Sequence, residues 1–204
     1  MIAIIDYGLG NVRAFANVYR NLNIPVIIAK KEEDLQEAIK ILLPGVGAFD
    51  YAMQRLNDSG MREMIDQKVL DEKTPVLGIC VGMQMMAKKS EEGVLPGLGW
   101  IDGEVKKFNL PAGLSAMRIP HMGWNTIQPI HSNGLLMGLD KESRFYFLHS
   151  YYFKCSNSSH AIATTNYEGE FESAVNCNNV YGVQFHPEKS HQWGIRLLEN
   201  FSKL

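Results

Sequence analysis

The first half of the chain alternates short apolar runs with segments of helical periodicity. The apolar runs predict buried strands at 2–5, 25–29, 40–43 and 75–79. Amphipathic stretches predict helices at 12–22, 48–56, 61–70 and 81–88. Because strand and helix follow one another repeatedly, this half predicts a parallel sheet covered by helices on both faces.

The second half of the chain has a different pattern. Segments rich in aromatic and β-branched residues, separated by Gly, Asn and Ser, predict strands at 100–108, 116–130, 144–153, 161–165 and 173–185. We expect exposed loops at 109–115 and 156–160. A closing helix is predicted at 192–203, where Ile195, Leu198 and Phe201 fall on one face. We therefore predict one α/β domain over residues 1–204, with a mostly parallel central sheet and antiparallel strands added late.

Composition narrows the class of protein. The chain has 204 residues, 46% of them hydrophobic and 21% charged, as in a soluble globular domain. Its net charge of -2 gives no electrostatic bias toward nucleic acid or an anionic membrane. No apolar run reaches the ~18 residues that cross a bilayer, and the first residues have the pattern of a strand, not of a signal peptide.

The three cysteines are odd in number, far apart and without a CxxC pair. This spacing argues against a disulfide framework and against a zinc site. We therefore expect a reducing, cytoplasmic environment.

The sharpest local pattern is Gly-x-Cys-x-Gly around Cys80, where a buried strand runs directly into a helix. Flanking glycines permit a turn too tight for larger neighbours, as in the strand-to-helix turn that exposes a serine in α/β hydrolases. The start of the helix favours a thiolate, and the Val81 amide would point to where an oxyanion forms. The pattern predicts a nucleophile at Cys80. The alternative is a buried, inert cysteine beside two packing glycines.

A second pattern is His-Pro-Glu at 186–188, at the end of a predicted strand. His186 and Glu188 are two residues apart, so they face the same way in an extended chain. A carboxylate beside an imidazole fixes its tautomer and stabilises the imidazolium. Taken alone, a His and a Glu at a strand end are more often surface residues than parts of a catalytic site. Because Cys80 and His186 each follow a strand of one parallel-cored sheet, we expect them at the same edge.

Two further turns follow predicted strands. Pro-Gly-Val-Gly at 44–47 offers backbone amides at Val46 and Gly47 as a second oxyanion donor, or is a plain strand-to-helix turn. Tyr-Gly-Leu-Gly-Asn at 7–11 is not a dinucleotide loop, because the third glycine position holds Arg13 and the second strand ends in two lysines. We predict a tight turn at the sheet edge for the latter.

The motifs together resemble a known family. LPGVGAF at 43–49, GICVGMQ at 78–84 and QFHPEKS at 184–190 resemble, in that order and spacing, the class I (triad-type) glutamine amidotransferases. Within them, IDYGLGN at 5–11, PHMGWN at 120–125 and YFLHSYY at 146–152 are similar to the glutaminase subunits of imidazole glycerol phosphate synthase. The resemblance covers essentially the whole chain and implies a class I glutamine amidotransferase fold with a flavodoxin-like core.

The resemblance implies a role for each matching residue. Cys80 would attack the side-chain amide of glutamine, with His186 as general base and acid and Glu188 as its orienter. The oxyanion hole and glutamine site would comprise Val46, Gly47, Val81, Gln84, His149, Ser150 and Tyr151. Neither a metal nor an organic cofactor is implied.

The resemblance also implies a partner, a (β/α)8 barrel cyclase that receives ammonia in a heterodimer and forms imidazole glycerol phosphate and AICAR in histidine biosynthesis. Asn11, His121, Met122 and Trp124 would contact this partner. For Trp124, a place in the core of the added sheet is the alternative.

Other functions remain open from the sequence. Ala48-Phe49-Asp50 and the run at 188–192 also resemble relatives that supply ammonia to another barrel partner for sugar amidation in surface polysaccharide assembly. A non-catalytic regulatory subunit of the same fold would have lost a triad residue, and none of Cys80, His186 and Glu188 is lost. An unrelated thiol hydrolase would not require Gln84 and the segment 149–151.

Overall fold

The computed structural model describes residues 1–109, 118–167 and 169–204. Most of the loop predicted at 109–115 and the first two residues of the strand predicted at 116–130 lie outside these residues. The strands are β1 Ile2–Ile5, β2 Val26–Ala29, β3 Lys40–Gly45, β4 Val76–Cys80, β5 Lys89–Ser90, β6 Gly103–Lys107, β7 His121–Thr126, β8 Gln128–Pro129, β9 Arg144–His149, β10 Tyr151–Cys155, β11 Ala161–Asn166, β12 Glu170–Cys177 and β13 Val180–Val183. The α-helices are α1 Val12–Asn21, α2 Phe49–Asp58, α3 Arg62–Asp66, α4 Val81–Gln84 and α5 His191–Lys203.

The large sheet has a parallel centre and an antiparallel extension. Strands β2, β1, β3, β4 and β13 lie side by side and pair in parallel. Strands β12, β10 and β6 follow in antiparallel order, and β5 lies parallel to β6 at the far edge. All residues of β1 and β4 are buried, as expected for central strands of a covered sheet. The predicted α/β architecture is confirmed.

Two strands form a separate small sheet. β7 and β9 pair antiparallel, with His121 opposite His149 and Trp124 opposite Tyr146. The single strand predicted at 144–153 is therefore wrong. It is interrupted at Ser150, because β9 pairs with β7 whereas β10 pairs with β6 and β12 of the large sheet.

Three other predicted elements differ from the structure. The strand predicted at 173–185 is a hairpin, in which β12 turns into β13 through Asn178 at a φ of 52°. The strand predicted at 116–130 contains two strands, β7 and β8. The helix predicted at 81–88 ends at Gln84, since the carbonyls of residues 85–87 accept hydrogen bonds from the loop at 98–101. That loop replaces the next helical turn.

Candidate active site

Cys80 lies at a strained strand-to-helix junction. It ends β4, immediately precedes α4 and has a φ of 55° and a ψ of -114°, a conformation that costs energy for any residue except glycine. A side chain at position 82 would overlap the carbonyl oxygen of Leu43, and one at Gly78 would lie 2.7 Å from the Gly82 carbonyl oxygen. The two glycines thus let α4 approach β3 and β4 closely enough to form the predicted elbow.

His186 and Glu188 form a buried pair beside Cys80. Nδ1 of His186 lies 2.9 Å from Oε1 of Glu188, and their side chains are only 4% and 3% exposed. β13 runs parallel to β4, so the chain that leaves β13 carries His186 to the edge where Cys80 lies. The side-chain nitrogen Nε2 of Gln184 also donates to the Cys80 sulfur at 3.7 Å. The structure therefore brings the three predicted triad residues together.

The charge of His186 is set by its two neighbours. Burial lowers the pKa of this imidazole, but hydrogen bonds and charge interactions with Cys80 and Glu188 outweigh burial and raise the pKa to about 10. His186 therefore holds its proton near neutral pH. An imidazolium next to a cysteine sulfur favours the thiolate, which is the nucleophilic form.

Ser190 fixes the backbone of His186. Its buried hydroxyl donates to the His186 carbonyl at 2.6 Å and accepts from the Tyr146 amide at 3.0 Å. The His186 amide in turn donates to the Tyr146 carbonyl at 2.9 Å. Sequence reasoning missed this role, although Ser190 stands in the same motif as His186. The imidazole is thereby held against β9.

A cavity of about 260 Å³ opens over these groups. Its lining contains Cys80 and His186 together with the residues predicted for the oxyanion hole and glutamine site, namely Val46, Gly47, Val81, Gln84, His149, Ser150 and Tyr151. Four further lining residues were not predicted, namely Glu92, Pro120, Leu148 and Lys189. The cavity is small and its lining includes a few polar groups, as expected for an amino-acid-sized ligand.

Glu92 brings a carboxylate to the cavity wall. Its Oε2 accepts from the amide of Phe49 at 2.9 Å, at the start of α2, where the N-cap residue Ala48 offers no side-chain cap. Partial burial raises the pKa of this carboxyl group. The loop that carries Glu92 is tied to the same helix by Asp50, which accepts from the amides of Val94 and Leu95. No local sequence motif predicts that Glu92 lines the cavity, because its contact with Phe49 joins residues 43 apart in the chain.

Gln84 joins the two sides of the cavity. Its buried amide nitrogen donates to the carbonyl of Tyr151 at 3.0 Å and to Oε1 of Gln184 at 2.9 Å. The side chain predicted to hold glutamine thus also connects α4 with β10.

The turn at 7–11 supports the turn at 44–47. Gly8 and Gly10 have φ values of 91° and 85°, which confirms the predicted tight turn. The Tyr7 hydroxyl donates to the Pro44 carbonyl at 2.8 Å, and a side chain at Gly10 would lie 2.8 Å from the Pro44 ring. Burial raises the pKa of Tyr7, so its hydroxyl remains a donor. Tyr7 was not among the predicted site residues.

The residues predicted to contact a partner separate into two groups. Met122 and Trp124 are 62% and 41% exposed on one face of β7, and Trp124 stacks on His191 at 5.2 Å between ring centroids. Asn11 is exposed, and its side chain accepts from the Ala14 amide at the start of α1. His121 is only 3% exposed and lies against His149. The structure places His121 behind His149, a residue of the cavity lining, and away from the exposed face of β7.

Comparison with known proteins decides the family. A family model described as glutamine amidotransferase class-I matches residues 3–203. The chain belongs to this family. A Bdellovibrio bacteriovorus protein named imidazole glycerol phosphate synthase subunit HisH is 58% identical to this amidotransferase over 204 residues, covering 100% of both chains. A protein of the same name from Leptospira interrogans is 51% identical over 204 residues, again covering 100% of both.

The fold of this amidotransferase is found among solved structures. A crystal structure of a glutamine amidotransferase matches with a TM-score of 0.74 at 17% identity, covering 100% of this chain and 99% of that chain. At this identity the likeness shows the fold alone. In the described parts of this amidotransferase, no helix is long and apolar enough to cross a membrane, and no group of His, Cys, Asp or Glu is arranged as a metal site.

Proposed function

We propose that the chain is the glutaminase subunit of an imidazole glycerol phosphate synthase, which hydrolyses L-glutamine to glutamate and ammonia for histidine biosynthesis. The observation that carries this function is the buried His186–Glu188 pair beside Cys80 at a strained elbow, in a cavity of amino-acid size. The full-length relatives named as HisH subunits support the same pathway.

The chemistry follows from the positions of the three groups. The Cys80 thiolate attacks the side-chain carbonyl carbon of glutamine, and the carbonyl oxygen becomes an oxyanion. The amides of Val81 and Gly47 are the donors that we assign to this oxyanion. Collapse breaks the carbon–nitrogen bond, and the imidazolium of His186 gives its proton to the departing ammonia. A γ-glutamyl thioester remains on Cys80.

Water then completes the reaction. Neutral His186 accepts a proton from water, the hydroxide attacks the thioester, and glutamate leaves as the thiolate re-forms. Oε1 of Glu188 accepts a hydrogen bond from Nδ1 of the ring, so Nε2 faces the reacting atoms in both steps. We assign Glu92 to the α-ammonium group of the substrate, because it presents a carboxylate in the cavity lining.

We propose a (β/α)8 barrel cyclase as the partner that receives the ammonia. Met122 and Trp124 offer exposed apolar side chains on β7. Asn11 lies with Leu9 in a groove that adjoins the cavity, since Lys189 lines both. Cys80, Cys155 and Cys177 are all free thiols, which fits the cytoplasm in which we expect the complex to work.

Glutamate release from glutamine tests this function, measured with the chain alone and with the cyclase and its ribonucleotide ligand. We expect weak activity alone and a steep rise in the complex, because the Gly47 turn has a φ of 90° and open space around it, so a partner can bias its orientation. Cys80→Ala should abolish release, whereas Cys177→Ala, which changes a thiol outside the cavity lining, should not.

Two results would overturn parts of the proposal. Unchanged glutamate release by Cys80→Ala would refute the nucleophile. Activation by a sugar-amidating barrel protein and not by the cyclase would refute the pathway and leave the glutaminase intact.

A further inference from the structure

A row of buried ring nitrogens leads from the cavity wall into the small sheet. Nδ1 of His149 lies 2.8 Å from the carbonyl oxygen of Tyr151, and Nε2 of His149 lies 2.9 Å from Nδ1 of His121. Nε2 of His121 lies 3.3 Å from the side-chain nitrogen of Asn125. Both rings are more than nine-tenths buried. The proposed reaction as described above uses neither His121 nor Asn125.

The two ends of this row determine where each proton lies. At one end, Asn125 accepts from the Thr126 amide through Oδ1 at 2.8 Å and donates through Nδ2 to the Asn166 carbonyl at 3.0 Å, so its amide orientation is fixed. The nitrogen that faces His121 is therefore a donor, and Nε2 of His121 accepts.

At the other end, the Tyr151 carbonyl can only accept, so Nδ1 of His149 carries a proton. Nδ1 of His121 then donates to Nε2 of His149, and each ring carries one proton. With this assignment every ring nitrogen in the row has a hydrogen-bond partner. Moving the proton of either ring to its other nitrogen would place two donors or two acceptors opposite each other.

The surroundings keep both rings neutral. Burial lowers the pKa of His149 to about 3 and that of His121 to about 4. Of the titratable groups around them, His186 interacts with His149 through its charge, and the Tyr167 ring stacks on His121 with 3.9 Å between ring centroids. The other neighbouring rings are apolar, namely Phe108, Phe147 and Phe171.

The row ends on an atom that belongs to the cavity wall. The Tyr151 carbonyl accepts from His149 and also from Gln84, whose nitrogen reaches Gln184 at 2.9 Å. The side-chain nitrogen Nε2 of Gln184 in turn donates to the Cys80 sulfur at 3.7 Å. The orientation of His149 is therefore linked, through Tyr151 and the two glutamines, to the nucleophile.

We propose that His121 is a positioning residue, which donates its Nδ1 proton to His149, fixes the tautomer of that ring and so holds the 149–151 wall of the glutamine site in place. The substrate named here rests on the proposed function above, whereas the tautomer assignment stands on the hydrogen bonds alone. The ring would act without touching the substrate.

Two variants at one position separate donation from packing. His121→Phe keeps an aromatic ring between Phe147 and Tyr167 but removes the donor, and His121→Asn keeps an N–H near the Nδ1 position but removes the ring. Both are studied in the intact complex with the cyclase. For His121→Phe we expect the KM for glutamine to rise about 5- to 100-fold, the range given by one buried acceptor left unpaired, with a smaller change in kcat. His121→Asn should have a KM much closer to that of the parent than His121→Phe has.

Nitrogen NMR of the His149 ring supplies a readout independent of catalysis. In the parent, Nδ1 should be protonated and Nε2 bare from pH 5 to 8. In His121→Phe, His149 should lose this single tautomer or take up a second proton as the pH falls, and KM should become pH-dependent over the same range. Thermal unfolding of both variants reports any general loss of packing.

Distinct results overturn the inference. A parent-like KM and His149 spectrum in His121→Phe would refute it. If both variants show the same rise in KM and the same fall in unfolding temperature, the ring contributes only packing. A parent chain with no glutaminase activity would refute the proposed function, and the NMR result would still decide the tautomer.

Discussion

The cavity has two walls that are built on different principles. One wall comprises the ends of β3 and β4 and the turn after β13, and it carries Cys80, His186 and the turn at 44–47. The other comprises the small β7–β9 sheet and the segment 149–151. In the first wall, glycines allow close packing and the backbone of Cys80 is strained. This wall also contains the buried His186–Glu188 pair, in which the pKa of the imidazole is raised. The second is packed through aromatic rings and holds imidazoles whose pKa values are lowered.

This difference indicates a division of labour. In the reaction that we propose, the charged and strained groups near Cys80 stabilise states that arise only during the reaction, so their loss should lower kcat. Neutral, fully paired groups keep a surface in one shape, so their loss should raise KM for glutamine. The three predictions below test that division, beginning with the largest expected effect.

Glu188→Gln should lower kcat for glutamine hydrolysis by about 10²–10⁴-fold, the usual contribution of a positioned acid–base group. Without the carboxylate, the pKa of His186 should fall from its raised value, as NMR titration of the ring can measure. Glu170→Gln, an exposed change on β12, serves as the control. A kcat within a few-fold of the parent would contradict the first wall's role.

The same variant has a consequence for stability. Because the folded chain holds the His186 proton more tightly than the unfolded chain, the stability contributed by this group is fully present below pH 6.5 and is lost as the pH rises toward about 10. In Glu188→Gln this loss should be smaller. Urea unfolding of parent and variant across this pH range measures the difference.

Gly82→Ala should reduce kcat by about 10²-fold, since its new side chain would overlap the Leu43 carbonyl and displace the elbow that carries Cys80. Overpacking of this kind should also cost about 1–3 kcal/mol of unfolding free energy. Gly134→Ala is the matched control, because among the described residues its side chain would meet only the flexible end of Leu204. Full activity in Gly82→Ala would show that the elbow tolerates displacement.

Asp50→Ala should have the smallest effect, a rise in KM of about 2- to 5-fold with kcat unchanged. Its carboxylate holds the loop that brings Glu92 to the cavity, and its loss should cost about 0.5–1.5 kcal/mol, because exposed amides are rehydrated by water. Asp58→Ala, at the exposed end of the same helix, is the control. A change in kcat with unchanged KM would show that Asp50 supports the first wall, which carries Cys80 and His186, and not the binding of glutamine.

The sequence predicted the first wall better than the second, for a physical reason. The environment of Cys80 depends on glycines two residues away, and His186 and Glu188 are two residues apart, so short motifs contain the geometry. The buried position of His121 depends on its pairing with a residue 28 positions away, which no local pattern specifies. The resemblance of the motif at 120–125 therefore predicts a partner contact for His121, whereas the structure buries its ring.

Strand boundaries show the same limit. An apolar, aromatic run such as 144–153 satisfies the pattern of one long strand, and only the choice of partners divides it at Ser150. The end of α4 likewise depends on hydrogen bonds from a loop more than ten residues later. The local sequence thus predicts whether a segment is a helix or a strand. Where the element ends depends on contacts with residues distant in the chain.

The hydroxyl of Ser190 fastens His186, the general base that we propose, to the small sheet. His186 follows a strand of the parallel sheet, yet its backbone is bonded on both sides to Tyr146 of the small sheet, directly and through Ser190. His186 therefore stands beside Cys80 at the edge of the parallel sheet and is also fastened to the small sheet. In the reaction that we propose, a shift of the small sheet relative to the parallel sheet would displace His186 from Cys80 and slow the proton transfer.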